Sequence, residues 1–252
     1  MSLTVTVLGS SGSYPGPDRA CSGYLVQGGG ATVWLEAGSG SMSNLQKHIG
    51  LGEIDAVVIS HEHPDHWGDL NGLQVACAYG EGPNSVAVYG PPTLRDFMYP
   101  FNRSSLEWNV ITDQSSIQIG GQSWRFSQTD HPPETLAARI EVGGAVLGYT
   151  ADTGPAWSPS ALGEGLGMLL AEATFQDEDA AQVAAEGTHV GHLSARQAGE
   201  LARAAGIPRL MITHIWPTHD VELSRRQAEE GFGGPVEVAN EGDQFVVEPV
   251  RG

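Results

Sequence analysis

Lysine is almost missing from this chain. Of its 12 basic residues one, Lys47, is a lysine, and 30 acidic residues outweigh them to a net charge of −18. A long polyanion such as tRNA would meet a mostly repulsive field, because nucleic-acid binding normally draws on Lys and Arg that neutralise phosphates. The acidity also fits plain solubility or genome composition; on either reading it argues against a large nucleic-acid footprint. Cysteine is nearly as scarce. Cys21 and Cys77 are too few for a disulfide scaffold and too far apart for a metal motif, so both read as small apolar residues. No apolar run approaches the roughly 18 residues a membrane span needs. The start, MSLTVTVLGSSG, alternates apolar and polar residues as a half-buried strand does, not as a charged-then-apolar leader does. These absences predict a cytoplasmic protein with no membrane segment.

What is present is glycine (34), proline (15) and enough apolar side chain, 40% of 252 residues, to build a core without disulfides. At this length folding buries roughly three quarters of the surface of the unfolded chain. The expectation is one domain over 1–252, made of two pseudo-related halves at roughly 1–130 and 131–252. Strands are predicted at 3–8, 23–27, 32–36, 56–60, 86–89, 117–119, 124–127, 138–142, 145–149, 168–171, 210–213 and 244–248. Gly28-Gly29-Gly30, Gly120-Gly121 and Gly143-Gly144 turn three hairpins. Helices are predicted at 43–49, around Leu70, Leu73, Val75 and Ala76, and at 194–205, where Ser194 and Gln197 form a capping box. Interleaved strands and helices in both halves suit two sheets sandwiched between helices, an α/β architecture, rather than one doubly wound sheet.

The densest chemistry lies at 57–70, VVISHEHPDHWGDL. His61 and His63 sit two apart in extended chain and point to the same side; Pro64 breaks the strand; Asp65 and His66 follow at the start of a helix. Four ligand groups thus surround one small volume in two pairs, which suggests two metals. Imidazole and carboxylate are what zinc favours in catalytic sites that keep a position open for water, and H-x-H-x-D-H at a strand-to-helix junction is a specific pattern. Further ligands stand out by setting. His131, Asp152 and His214 each come just after an apolar strand, where a sheet can present a side chain rigidly.

H-x-H-x-D-H, a later lone histidine, Y-T-x-D-T-G and a final T-H resemble the metallo-β-lactamase superfamily over nearly the whole chain. LGSSGS at 8–13, SGYLV at 22–26, EATF at 172–175 and HLSARQA at 192–198 are most similar to its ribonuclease Z-like branch. The resemblance implies a four-layer αββα sandwich with two mixed β-sheets between helices. It implies that His61, His63 and His131 bind one Zn2+, that Asp65, His66 and His214 bind a second, and that Asp152 bridges them; Mn2+ or Fe suit the same donors. It makes His192 the catalytic acid beside the scissile group, and chemically Asp65 can orient the metal-held hydroxide and accept its proton. For His192 a helix start without chemistry is the competing reading, and His189, three residues earlier, is the rival acid. Glu172 and Ser194 would support the site from behind. His48 and His219 read as surface residues. Two positions depart from the branch: Glu36 stands where Asp is usual, and Ala151 where Gly is usual.

Ribonuclease Z carries a long tRNA-binding arm between the third-motif histidine and the bridging aspartate, whereas 20 residues separate His131 from Asp152 here. The chain also resembles bacterial cyclic-nucleotide phosphodiesterases of this fold, in its LGSSGS start and its THIWP stretch at 213–217. The expected activity is therefore hydrolysis of a small phosphodiester, such as a cyclic nucleotide, by metal-held hydroxide. A tRNA 3′-end endonuclease of ribonuclease Z type, or a hydrolase like a lactonase or β-lactamase on the same metal core, remains the alternative. Trp216 either stacks a base or packs against the second hairpin. Members of the branch are commonly dimers, so a homodimer is compatible with the resemblance.

Overall fold

The computed structural model describes residues 2–98, 104–187 and 191–249. The first sheet takes β1 (Leu3–Gly9), β2 (Gly23–Gly28), β3 (Ala31–Ala37), β4 (Ala56–Val58), β5 (Val86–Gly90) and β6 (Leu106–Val110). The second takes β7 (Ser116–Ile119), β8 (Gln122–Gln128), β9 (Leu136–Val142), β10 (Ala145–Tyr149), β11 (Met168–Glu172), β12 (Leu210–Thr213) and β13 (Glu237–Val238). The last strand, β14 (Gln244–Val247), returns to the first sheet and sets Val247 opposite Leu3. Each sheet has seven strands, in the orders β14-β1-β2-β3-β4-β5-β6 and β13-β12-β11-β10-β9-β8-β7. Both are mixed: antiparallel through the hairpins β1–β3 and β7–β10, parallel through β3–β6 and β10–β13. Gly29 and Gly30, both at positive φ, make the tight β2–β3 turn that L-residues would strain.

Period-two alternation decides what each strand buries. Val5, Val7, Tyr24, Val33 and Leu35 of the first sheet meet Trp124, Phe126, Ile140, Leu147 and Leu170 of the second in one apolar core. The alternate residues of the first sheet, Trp34, Val57 and Val88 among them, pack with Leu45 of α1 (Ser41–Leu45), Trp67 of α2 (Pro64–Trp67), Leu70 and Leu73 of α3 (Leu70–Ala78) and Leu94 of α4 (Leu94–Phe97). Beyond α5 (Asp177–Glu186), the outer face of the second sheet is covered by α6 (Ala195–Ala204) and α7 (Val221–Phe232) through Ala195, Ala198, Ala202 and Ala228. These two helices touch backbone to backbone: a Cβ at Gly199 would collide with the Ala228 carbonyl oxygen. The result is a four-layer αββα sandwich.

The first helix lies at Ser41–Leu45 rather than 43–49, because the chain turns after Leu45. Val75 faces out of α3, where Leu70, Leu73 and Gln74 make the buried stripe. β6, β13, α4, α5 and α7 add elements beyond those predicted. The expected strand-end ligands gather at one rim, since β4, β8, β10 and β12 all open towards the same side at their carboxyl ends, the usual crevice of α/β sheets.

Candidate metal centre

The motif at 61–66 gets its shape from local rules. His63 is extended (φ −72°, ψ 136°), and Pro64 fills the first position of α2, where its missing N–H costs nothing. The chain therefore reverses, and Asp65 and His66 face back toward His61. His61, His66, Asp65, His131, Asp152 and His214 are all buried.

Two groups of ligand atoms converge. His61 Nε2 lies 3.1 Å from His63 Nδ1, which lies 3.2 Å from His131 Nε2. Asp152 Oδ2 stands 3.5 Å from His61 Nε2 and 3.9 Å from His131 Nε2. In the second group His66 Nε2 is 3.2 Å from His214 Nε2, and Asp65 Oδ2 is 3.2 Å from His214 Nε2 and 3.5 Å from His66 Nε2. Asp152 turns its other oxygen, Oδ1, to this group, 3.3 Å from His66 and 3.4 Å from His214. A tetrahedral site with metal–nitrogen arms of about 2.0–2.1 Å has edges of roughly 3.3 Å, close to both groups. His61, His63, His131 and Asp152 could hold one ion, and Asp65, His66 and His214 another. Asp152 Oδ1, buried without a hydrogen-bond partner, is the kind of acceptor a cation would satisfy.

Electrostatics keeps the donors in usable states. Burial first of all holds His61, His63 and His131 below the ordinary histidine range, so each is a neutral base with a free lone pair at neutral pH. Burial works against ionised Asp65 and Asp152, but the facing histidines outweigh it and hold both carboxyls below the usual carboxylate range. Burial also disfavours charge on His66, yet Asp152 and Asp65 win and raise it. The negative pocket that favours a proton on His66 favours a cation in its place.

Behind the donors, three of the imidazoles are held by their other nitrogen. His61 Nδ1 is 2.9 Å from Ser60 Oγ, and His131 Nδ1 donates to the Gly191 carbonyl at 2.7 Å. His214 Nδ1 is 2.8 Å from Thr174 Oγ1, which donates to Glu172 Oε2 at 2.6 Å. Glu36, with no exposed surface, accepts from the Ser60 N–H and lies 3.5 Å from His66 Nδ1. The Ser13 N–H donates to Asp65 Oδ2 at 2.8 Å. Such partners fix ring orientation and raise ligand basicity. The sequence alone assigns none of these roles to Ser13, Ser60, Thr174 or Gly191; the signals present are adjacency to His61 for Ser60, the LGSSGS stretch for Ser13 and the EATF stretch for Thr174. Glu36, Ala151 and His214 all have left-handed backbones (φ 58°, 52° and 55°), where Ala151 takes a conformation glycine adopts without strain.

His192 stands at the edge of the cluster, its ring stacked on that of His214 with centroids 5.7 Å apart. Its Nδ1 donates to Glu172 Oε1 at 3.0 Å. Burial opposes its charge, but the Glu172 carboxylate outweighs this and lifts the pKa to about 9. Glu172 is pinned in turn by the Thr153 N–H at 2.7 Å. Ser194 caps α6 by accepting from the Gln197 N–H, as the capping box requires. Trp216 packs edge-on against Phe175 (5.2 Å) and donates from Nε1 to Ser13 Oγ. His48 is exposed, whereas His219 is largely buried, between Trp216 and Asp179. His189 lies outside the described residues.

The description "Beta-lactamase superfamily domain" fits residues 35–215. The probable metallo-hydrolase YhfI of Bacillus subtilis is 30% identical over 247 residues, covering 95% of this chain and 98% of its own. Its crystal structure superposes with a TM-score of 0.86 at 28% identity, covering 98% and 100% of the two chains. Ribonuclease Z of Mycobacterium bovis is 27% identical, over 99% of this chain and 100% of its own. A diphosphatase of the PhnP family shares the fold, with a TM-score of 0.77 at 19% identity, covering 98% of each chain.

Proposed function

The chain belongs to the beta-lactamase superfamily domain family and is a metal-dependent hydrolase; on that premise we propose that it holds two zinc ions and cleaves a small phosphodiester, a cyclic nucleotide being the first choice. The observation that carries this is Asp152, whose two carboxylate oxygens face two separate ligand groups. His61, His63 and His131 would hold one ion, Asp65, His66 and His214 the other, with Asp152 between them. When bound, the ions supply Lewis acidity and an acidified water near neutral pH.

The protein's own groups do the rest. Asp65, held by Ser13 and His214 through Oδ2, orients the attacking water and accepts its proton. His192, oriented through Nδ1 by Glu172, gives a proton from Nε2 to the leaving oxygen, a role worth on the order of 10²–10⁴-fold. Two features favour a small substrate. The 20 residues between His131 and Asp152 are spent on β9, β10 and their turns, leaving no length for an arm. The charge of −18 opposes a long polyanion.

The full-length similarity to ribonuclease Z favours tRNA 3′-end cleavage as a second reading. Metal analysis together with turnover of bis(p-nitrophenyl) phosphate, a lactone, nitrocefin and a tRNA precursor decides among them. The expected result is two zincs per chain and cleavage of the phosphodiester. Cleavage confined to the lactone or nitrocefin rejects the phosphodiester reading, and efficient processing of the precursor establishes the second.

A further inference from the structure

Beside His192 opens a cavity of about 470 Å³, lined by Phe175, Asp179, Gln182, Val183, His192 and Trp216. Its size lies within the ~300–1,000 Å³ of small-molecule sites. Phe175 is its flat centre, edge-on both to Trp216 and to His192, with centroids 5.2 and 5.7 Å away. The outer wall is α5, which buries none of its residues. Polar ties hold it in place instead: Gln176 Nε2 to the Asp220 carbonyl (2.9 Å), the Asp177 N–H to Gln227 (3.2 Å) and Asp177 to Arg196 (2.8 Å). Tied at this N-terminal end, the helix presents Asp179, Gln182 and Val183, at i, i+3 and i+4, along the cavity, with Gln182 at its exposed rim.

The polar groups on that wall have one character. Asp179 uses Oδ2 to accept from the Gln176 N–H, with His219 Nε2 3.4 Å away, which leaves Oδ1. Gln182 gives its NH₂ to Glu186 Oε1 at 2.9 Å, which leaves its carbonyl oxygen. Both spare atoms are acceptors. Among the described lining residues there is no Lys or Arg, and His192 already gives Nδ1 to Glu172, so away from His192 a flat ring with an edge of N–H donors suits walls and edge alike. Resting on the small-phosphodiester reading, we infer that this cavity is the base subsite, that Asp179 and Gln182 are its specificity-determining residues, and that it selects a guanine-type edge. Guanine offers adjacent N1–H and N2–H₂ donors. Adenine offers one amino group beside an acceptor nitrogen, which would face another acceptor.

The test compares kcat/KM for guanosine and adenosine 3′,5′-cyclic phosphates in the zinc-loaded wild type, Gln182→Ala and Asp179→Asn. The ratio of the two is unaffected by the fraction of enzyme that folds. A guanine preference of about tenfold or more, falling towards unity in both variants, is the expected result. A ratio of one or less, or a preference that both variants keep, overturns the assignment. Calorimetric binding of guanosine and adenosine reads the cavity without chemistry, and equal affinities in the wild type overturn it as well. Bis(p-nitrophenyl) phosphate carries no base. Its cleavage without base discrimination rejects the subsite alone; its resistance with guanosine-selective binding rejects the phosphodiester reading and leaves the subsite standing.

Discussion

The two sheets furnish the centre in different ways. The first delivers a continuous block, His61, His63, Asp65 and His66, from one strand end and the turn into α2. The second delivers single residues, His131, Asp152, Glu172 and His214, from the ends of β8, β10, β11 and β12. A block is fixed by local backbone rules: an extended pair, a proline, one helical turn. The scattered set is fixed by strand register. Tyr149 pairs with Leu170, and Glu172 with Thr213, which brings Asp152, Glu172 and His214 to one level. Asp152 is where the halves depend on each other, since it touches His61 and His66 of the block and His214 of the set.

The most damaging substitution should therefore fall on that joint. Asp152→Ala is expected to lose most bound metal and nearly all activity, more than the ~10–100-fold that outer partners cost; His63→Ala should do the same from the block's side. Two tightly held zincs in either variant, by metal analysis, would refute the ligand assignment. His192→Ala comes next. It should keep both metals and lower kcat by about 10²–10⁴-fold, so an unchanged kcat removes His192 as the acid. A matched pair then asks whether the sheets support their ligands equally. Ser60→Ala behind His61 and Thr174→Val behind His214 should each weaken metal affinity by about 10–100-fold, measured by competition with a chelator. A loss in only one shows that the other imidazole is held by packing. Finally, His48→Ala, on the exposed surface outside both sets, should leave metal content and kcat/KM at wild-type values; a loss of zinc there would mean that the centre extends beyond the residues assigned to it.

The same contrast governed what could be read ahead of the structure. The 61–66 block announced itself because its spacing is its geometry. His131, Asp152 and His214 were legible as residues that end apolar strands, and the superfamily resemblance supplied their pairing. α5 escaped because DEDAAQVAAE has no apolar stripe to bury, so no periodicity marked it. The signals for α7 lie at its ends, Asp220 capping its first turn and Gly233 closing it in the left-handed conformation. β6, largely exposed at the edge of its sheet, shows no clean alternation. His219, expected at the surface, is covered because Trp216 and α5 close over it, a contact between segments 40 residues apart in the chain.

By itself the sequence determined the strand-rich α/β class, the hairpin turns, the capped helix read at 194–205 and the candidate metal-binding block, because those depend on neighbours within a few residues. Only the tertiary structure decided that Asp152 divides its two oxygens between two groups, that Glu172 and Thr174 tie His192 to His214, and that α5 stands as the wall of a cavity. Each of these is set by the register of parallel strands and by side chains meeting across distant segments, where a shift of one residue would turn every ligand to the opposite face.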